Sequence, residues 1–306
     1  MSAPLQPILV MMSYRGGERL SRCLKSIERS QHHFKRVILS VTAATDSEDM
    51  QQCTEFQDRN PGVEVICTGQ ELPTMQHQAF WIDYLQSTGA TQTDWIYWLA
   101  YDDEVRVRGI DAITDEDGNW PLEQDTVYFG PWAMRHEKPD TLWDGDPTAP
   151  LESWTSFPIE GPLRLPVMEW IRQQLIQPTY MQMSGSVCPL RNFIDLKSGR
   201  PTKKGPMRIE MATAASSRTQ FVEEFPESVS VIYGRADSDR ANYRTAARQE
   251  DWHLAMWLVR RVWRNHRGIG RLVTTGFSVV TASASAAIGR RPLPQEEWRP
   301  RGLAVP

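Results

Sequence analysis

The residues best suited to chemistry lie together in Trp95-Ile96-Tyr97-Trp98-Leu99-Ala100-Tyr101-Asp102-Asp103-Glu104. An apolar run delivers two adjacent carboxylates, and then a third, to what reads as the end of one strand. Neighbouring side chains on an extended strand point to opposite sides. One carboxylate of the pair can therefore face a divalent cation while the other orients a hydroxyl or a basic group. A hard cation such as Mg²⁺ takes few protein carboxylates and fills its shell with phosphate oxygens and water. That suits a diphosphate leaving group, whose developing charge a metal neutralises. The plain alternative is an acidic turn after a strand, and the pair alone does not choose between the two.

The elements ahead of this strand end are what would position it. Residues 7–13 (PILVMMS) and 36–41 (RVILSV) are apolar runs of the kind shown by strands buried on both faces, and 63–67 (VEVIC) and 94–100 (DWIYWLA) read as a third and a fourth strand. Between them lie segments with helical spacing. Leu20, Cys23, Leu24 and Ile27 recur at i, i+3, i+4 and i+7. The polar run TAATDSED opens a second helix with Asp46 or Ser47 near its N-cap. Met75, Ala79 and Ile82 mark a third. Strand and helix thus alternate through the first hundred residues, which predicts an α/β fold with a parallel sheet and right-handed crossovers. Ligands of such sheets sit beyond the carboxyl ends of the strands. The loop Tyr14-Arg15-Gly16-Gly17 and the pair Asp102-Asp103 should therefore share one edge.

The second half is less regular. Residues 125–134 read as one strand, 140–166 as a long loop, 167–177 as a helix stopped before Pro178, and 208–216 as a helix. Residues 180–196 hold Ser184-Gly185-Ser186 and then a short helix, and 229–233 read as a strand. From Asp251 the chain changes character. Trp252, Met256, Val259 and Trp263 recur at helical spacing among Arg260, Arg261, Arg264 and Arg267. The uncharged run 272–289 follows between Arg271 and Arg290-Arg291. Its six Ser or Thr residues argue against a membrane span, and favour an element resting on an anionic surface or packed on the main domain.

The whole chain of 306 residues has ordinary globular composition, with a formal net charge of −4. Nothing in that balance suggests nucleic-acid binding, which goes with strongly basic domains. The 12 tryptophans exceed what the length suggests; they either fill the core or stack on sugar rings. Cys23, Cys53, Cys67 and Cys188 form no metal-spaced pair, and no leader-type segment opens the chain. Reduced packing thiols in a cytoplasmic protein are the expectation.

The opening Ile8-Leu9-Val10-Met11-Met12-Ser13-Tyr14-Arg15, the helix Leu20 to Ile27 and the run Trp98 to Val105 together resemble a family-two-type glycosyltransferase with the GT-A fold. The likeness is close over residues 7–110 and loose over 125–235. It implies an α/β fold with a single, mostly parallel sheet flanked by helices, an irregular acceptor-side half and a helical C-terminal extension. It divides the chain into a catalytic domain, 1–250, with a nucleotide-sugar-binding half (1–110) and an acceptor-side half (111–250), and an amphipathic extension, 251–306. It implies transfer of a sugar, by inversion, from a nucleoside-diphosphate sugar to a hydroxyl of a glycan or lipid-linked acceptor. Ser13, Tyr14, Arg15, Asp46, Gln76 and Asp102 would bind the donor, Asp103 would hold Mg²⁺ or Mn²⁺, and Glu210 at a helix start would be the general base, with Glu223, Glu224 and Asp251 as rivals. Met183-Ser184-Gly185-Ser186 resembles the family's acceptor-side turn. The first acid of the family's metal motif falls on Ala100 and its base-reading acids near Val41 and Thr42. Those departures leave two rivals: a nucleotidyltransferase of similar sheet, and a non-catalytic sugar-nucleotide- or carbohydrate-binding relative. The Arg- and Trp-rich segment 251–291 would touch the inner face of a membrane, and no nucleic-acid partner is expected. Arg235, Arg240 and Arg244 could clamp a diphosphate, and His136 and His253 are weaker ligand candidates.

Overall fold

The computed structural model describes residues 5–136, 152–154, 164–167, 169–170, 183–198, 213 and 218–234. Strand β1, Ile8–Ser13, is buried at every position, as a strand sandwiched between helix layers must be. Helix α1, Glu18–Ser30, buries Leu20, Cys23, Leu24 and Ile27, the residues its periodicity marks. Next come β2 (Arg36–Val41), α2 (Glu48–Arg59), β3 (Val63–Cys67), α3 (Thr74–Ser87) and β4 (Trp95–Ala100). Helix α2 starts at Ser47, whose hydroxyl accepts from the Met50 N–H at 3.3 Å, so Ser47 rather than Asp46 is the cap.

These four strands are parallel neighbours in the order β3-β2-β1-β4. The chain steps outward from β1 to β2 and β3, then returns to the other side of β1. Right-handed crossovers running in opposite directions cover opposite faces. Residues of α1 and α2 (Leu20, Cys23, Ile27, Cys53, Phe56) accordingly pack with Leu9, Met11 and Leu39. Residues of α3 (Trp81, Ile82, Leu85) pack with Ile8, Val10 and Ile38 on the other face. The direction of travel switches between β1 and β4, and a crevice is expected there, outside their carboxyl ends.

The remaining elements are β5 (Glu104–Val105), α4 (Val107–Ile113), β6 (Thr126–Phe129), β7 (Trp132–His136), β8 (Glu152–Trp154), β9 (Arg164–Pro166), β10 (Ser186–Pro189), α5 (Leu190–Ser198), β11 (Phe221–Glu224) and β12 (Ser230–Gly234). The main sheet continues β4-β10-β6-β11-β9, with β10 antiparallel to both neighbours and β6 parallel to β11. This eight-stranded mixed sheet with flanking helices is the α/β architecture that the resemblance implies. Two expectations need correcting. The sheet is not single, because β5-β12-β7-β8 form a second one. The expected strand 125–134 is two strands, β6 and β7, broken at Gly130-Pro131. Proline gives no N–H to a ladder, and the chain crosses there from one sheet to the other.

Strands β10 and β11 have no counterpart in the sequence reading. The first is the antiparallel neighbour of β4 and so central to the site; its four residues are all buried. Trp81, Trp120 and Trp170 are core residues with less than 2% exposure, each of a kind whose truncation costs about 3–5 kcal/mol. Of the helix expected at 208–216 only Thr213 is described, and residues 235–306 lie outside the described residues. Among the described residues no helix is long and apolar enough to cross a membrane.

Candidate active site

A cleft of about 560 Å³ opens at the carboxyl ends of the parallel strands. Its walls are Met12, Ser13 and Tyr14 at the end of β1, Thr42 after β2, Glu71, Leu72 and Pro73 of the β3–α3 loop, Thr74 and His77 of α3, and Trp98, Ala100 and Tyr101 at the end of β4. The register explains why two segments so far apart in sequence meet. β1 and β4 pair from Ile8↔Ile96 to Met12↔Ala100, and the Tyr101 N–H donates to the Met12 carbonyl at 3.1 Å. On the other edge of β4 the Ala100 N–H donates to Ser184 Oγ at 3.1 Å, and the Gly185 N–H to the Trp98 carbonyl at 2.8 Å. The small-residue turn 183–186 thus lies against the end of β4. Gly185 has φ +82°, and a Cβ there would collide with Ser230.

The loop after β1 is held from inside by a residue that the sequence did not single out. Asp49, 5% exposed in the first turn of α2, accepts from the Gly16 N–H at 2.9 Å and the Gly17 N–H at 3.2 Å. It also accepts from the Ser13 hydroxyl. Gly17 caps α1, so Asp49 occupies two amides of the kind that bind anions at helix N-termini. Gly16 is required by close approach, since a Cβ there would stand 2.8 Å from Leu20 Cβ and 3.1 Å from the Tyr101 ring. From outside, Arg15 makes a bidentate ion pair with Glu71, Nε–Oε1 2.9 Å and Nη2–Oε2 3.0 Å. That bond raises the guanidinium pKa and lowers that of the carboxyl.

The acidic strand end divides between two environments. Asp102 is partly exposed, and its carbonyl accepts from Arg22 Nη2 at 3.0 Å. Asp103 is 3% exposed. Its charge lies on the α1 side of the sheet. After burial, it is the largest cause that raises the Cys23 thiol and the Tyr97 phenol. Glu104 pairs with Arg22 at 3.5 Å. No described group of three His, Cys, Asp or Glu side chains could hold a metal by itself. Of the adjacent pair, Asp102 is the less buried and Asp103 the more buried.

The sequence-derived donor set is only partly assembled. Ser13 and Tyr14 line the cleft, Arg15 stands beside them, and Asp102 follows the lining residue Tyr101. Asp46 and Gln76 are exposed and are not cleft residues. Glu210, Asp251, His253 and Arg235, Arg240 and Arg244 lie outside the described residues, as does the side chain of His136. Glu223 is turned toward Arg164 at 3.3 Å. Glu224 is 1% exposed and ends β11, on the same sheet edge as Trp98 but three strands away, about 14 Å. Among the described residues Trp98 is the tryptophan that lines the cleft, and its Nε1–H donates to Met12 Sδ at 3.1 Å.

No protein-family model and no curated protein matches the chain. Solved structures of similar shape include the 1–349 fragment of S. aureus TarS, at 11% identity over 91% of this chain and 81% of that one, TM-score 0.48. GalNAc-T7 with UDP, GalNAc and Mn²⁺ matches at 11% identity over 77% and 44%, TM-score 0.48. The mannosyltransferase PcManGT from Pyrobaculum calidifontis, in complex with GDP-Man and Mn²⁺, matches at 10% identity over 97% and 79%, TM-score 0.46.

His77 is the buried titratable group of the cleft, 2% exposed, with Nε2 2.8 Å from Ser40 Oγ. Burial lowers its pKa from 6.5 to about 4. The unfolded chain therefore takes up this proton first as pH falls. The stabilisation is complete above about 6.5 and is lost on descending toward 4. Between about pH 7 and about pH 4.5 the wild type should lose about 2–3 kcal/mol more than His77→Gln. Denaturant midpoints of the two proteins at both pH values check this; equal losses would refute it.

Proposed function

We propose that the chain is a glycosyltransferase whose donor, a nucleoside-diphosphate sugar, lies in the cleft between β1 and β4. The observation that carries this reading is the juxtaposition of that cleft with an acidic strand end at the switch point of a parallel sheet. In this reading the base lies toward Thr42, Leu72 and His77, and the diphosphate toward Tyr101 and Asp102. Mg²⁺ or Mn²⁺ on Asp102 would neutralise charge on the diphosphate, and Asp103, buried on the α1 side, would have to turn toward the cleft to join it. Glu210 takes the proton of an acceptor hydroxyl, whose oxygen bonds to the anomeric carbon as the bond from that carbon to the diphosphate oxygen breaks, with inversion. The acceptor would approach beside β4, on the side of the buried Ser184-Gly185 turn.

The nucleotidyltransferase alternative calls for first-loop amides open to a triphosphate. Here the Gly16 and Gly17 amides are committed to Asp49, which favours sugar transfer. Burial of Asp103 favours a second reading, a relative that binds sugar nucleotides without turnover. The Arg-rich segment 251–291 supports a glycan or lipid-linked acceptor at the inner membrane face.

A thermal-shift screen of nucleoside diphosphates with and without Mn²⁺ tests the donor site, because a ligand of the folded state raises its apparent stability. A metal-dependent shift is expected in wild type and should be lost in Asp102→Ala and Asp103→Ala; no shift with any nucleotide would sink the proposal. Loss of the shift in Asp102→Ala alone would assign the cation to Asp102. Glu210→Gln should retain nucleotide binding and lower turnover about 10²–10⁴-fold. Unchanged turnover moves the base elsewhere, and absence of turnover in wild type with a panel of acceptors favours the binding-only reading. Removing residues 251–306 should abolish binding to anionic liposomes; unchanged binding would refute the membrane contact.

A further inference from the structure

We propose that Arg15 and Glu71 form a latch across the mouth of the cleft, and that Arg15 exchanges the Glu71 carboxylate for the diphosphate of a bound nucleotide. The inference rests on the donor reading above and adds a competitor to it. The two side chains join the loop after β1 to the loop after β3, whose other residues form two walls of the cleft. Glu71 itself lines the cleft, as does Tyr14, whose hydroxyl lies 3.4 Å from Glu71 Oε2.

Three properties make the bridge exchangeable. A guanidinium fork binds phosphate oxygens in the same bidentate way as a carboxylate. The pair is 70% and 47% exposed at its two side chains, so solvent screens it and it holds the loop only weakly. Arg15 is also the one described non-glycine residue with positive φ, at +53°, a backbone state that costs energy and that surrounding anchors must impose. Asp49 supplies that anchor one residue further on, through the Gly16 and Gly17 amides. The backbone of the loop is thus fixed from within, while its charged tip is tethered to a partner that a phosphate can replace. Exchange costs the carboxylate its partner, so Glu71 taxes the affinity for every diphosphate ligand.

The test is a double-mutant cycle read by titration calorimetry. UDP, GDP, CDP, ADP and dTDP serve as probes, with the nucleoside matching whichever binds wild type. Unliganded melting of each variant separates loss of fold from loss of binding. Glu71→Gln should bind the diphosphate up to about fivefold more tightly, from the worth of an exposed pair, and the nucleoside no differently. Arg15→Gln should weaken diphosphate binding, and in that background Glu71→Gln should add nothing. A gain that persists without Arg15 is simple removal of negative charge and overturns the latch, as does the absence of any gain. If no probe binds wild type, the donor reading itself fails; if a probe binds but the cycle shows no coupling, only the latch does.

Discussion

The parallel pairing of β1 with β4 is the constraint on which the rest of the site depends. It joins residues nearly ninety positions apart in the chain and brings Ser13 and Tyr14 beside Tyr101 and Asp102. The pairing is possible because α1 and α3 leave on opposite faces, so that neither covers the gap between the two strand ends. β4 is then closed on its other edge by β10, which runs antiparallel and places the Ser184-Gly185 turn against Ala100 and Trp98. With a parallel neighbour on one side and an antiparallel one on the other, β4 carries its end loop in the interior of the sheet.

Around that centre the loops are organised by charge placed on backbone amides. Asp49 collects Gly16, Gly17 and Ser13, and hydrogen bonds to a charged group contribute about 1.5–3 kcal/mol each. The effect is to fix the first wall of the cleft before any ligand arrives. It also commits the Gly16 and Gly17 amides at the start of α1 to a side chain of the protein itself. Preorganisation inside and a weak, exposed tether outside give one loop two different jobs.

The acidic strand end is shaped by the same alternation that makes strands. Tyr97 and Leu99 face α1, and the field of Asp103 falls on that side, on Cys23 and Tyr97. Trp98 and Ala100 face the cleft. Arg22 of α1 then holds the Asp102 carbonyl and the Glu104 carboxylate. Two adjacent aspartates, equivalent in a motif, are thus made different by which face of the sheet each meets.

Local pattern determined the alternation of the first hundred residues. The four runs became β1 to β4 with boundaries within a residue or so; the inner strands are apolar because both their faces are covered, while β3, at the sheet edge, is only partly buried and carries Glu64. The helical face of α1 was legible for the same reason, and so was the shared edge of Tyr14 and Asp102; for α3 the expected face of Met75, Ala79 and Ile82 was buried only at Ile82, the core side being His77, Gln78, Trp81, Ile82 and Leu85. Tertiary structure decided what local pattern could not. A four-residue strand such as β10 or β11 carries too little periodicity to be read, and the break at Gly130-Pro131 acquires its meaning from a second sheet to which the chain can cross. Asp49, Glu71 and His77 owe their roles to partners 32 to 56 residues away in the chain. The burial of Asp103 depends on a helix packing behind it. Spacing along a chain fixes periodicity and which strand ends can share an edge; which face a carboxylate meets, and which amides it captures, are settled by long-range packing.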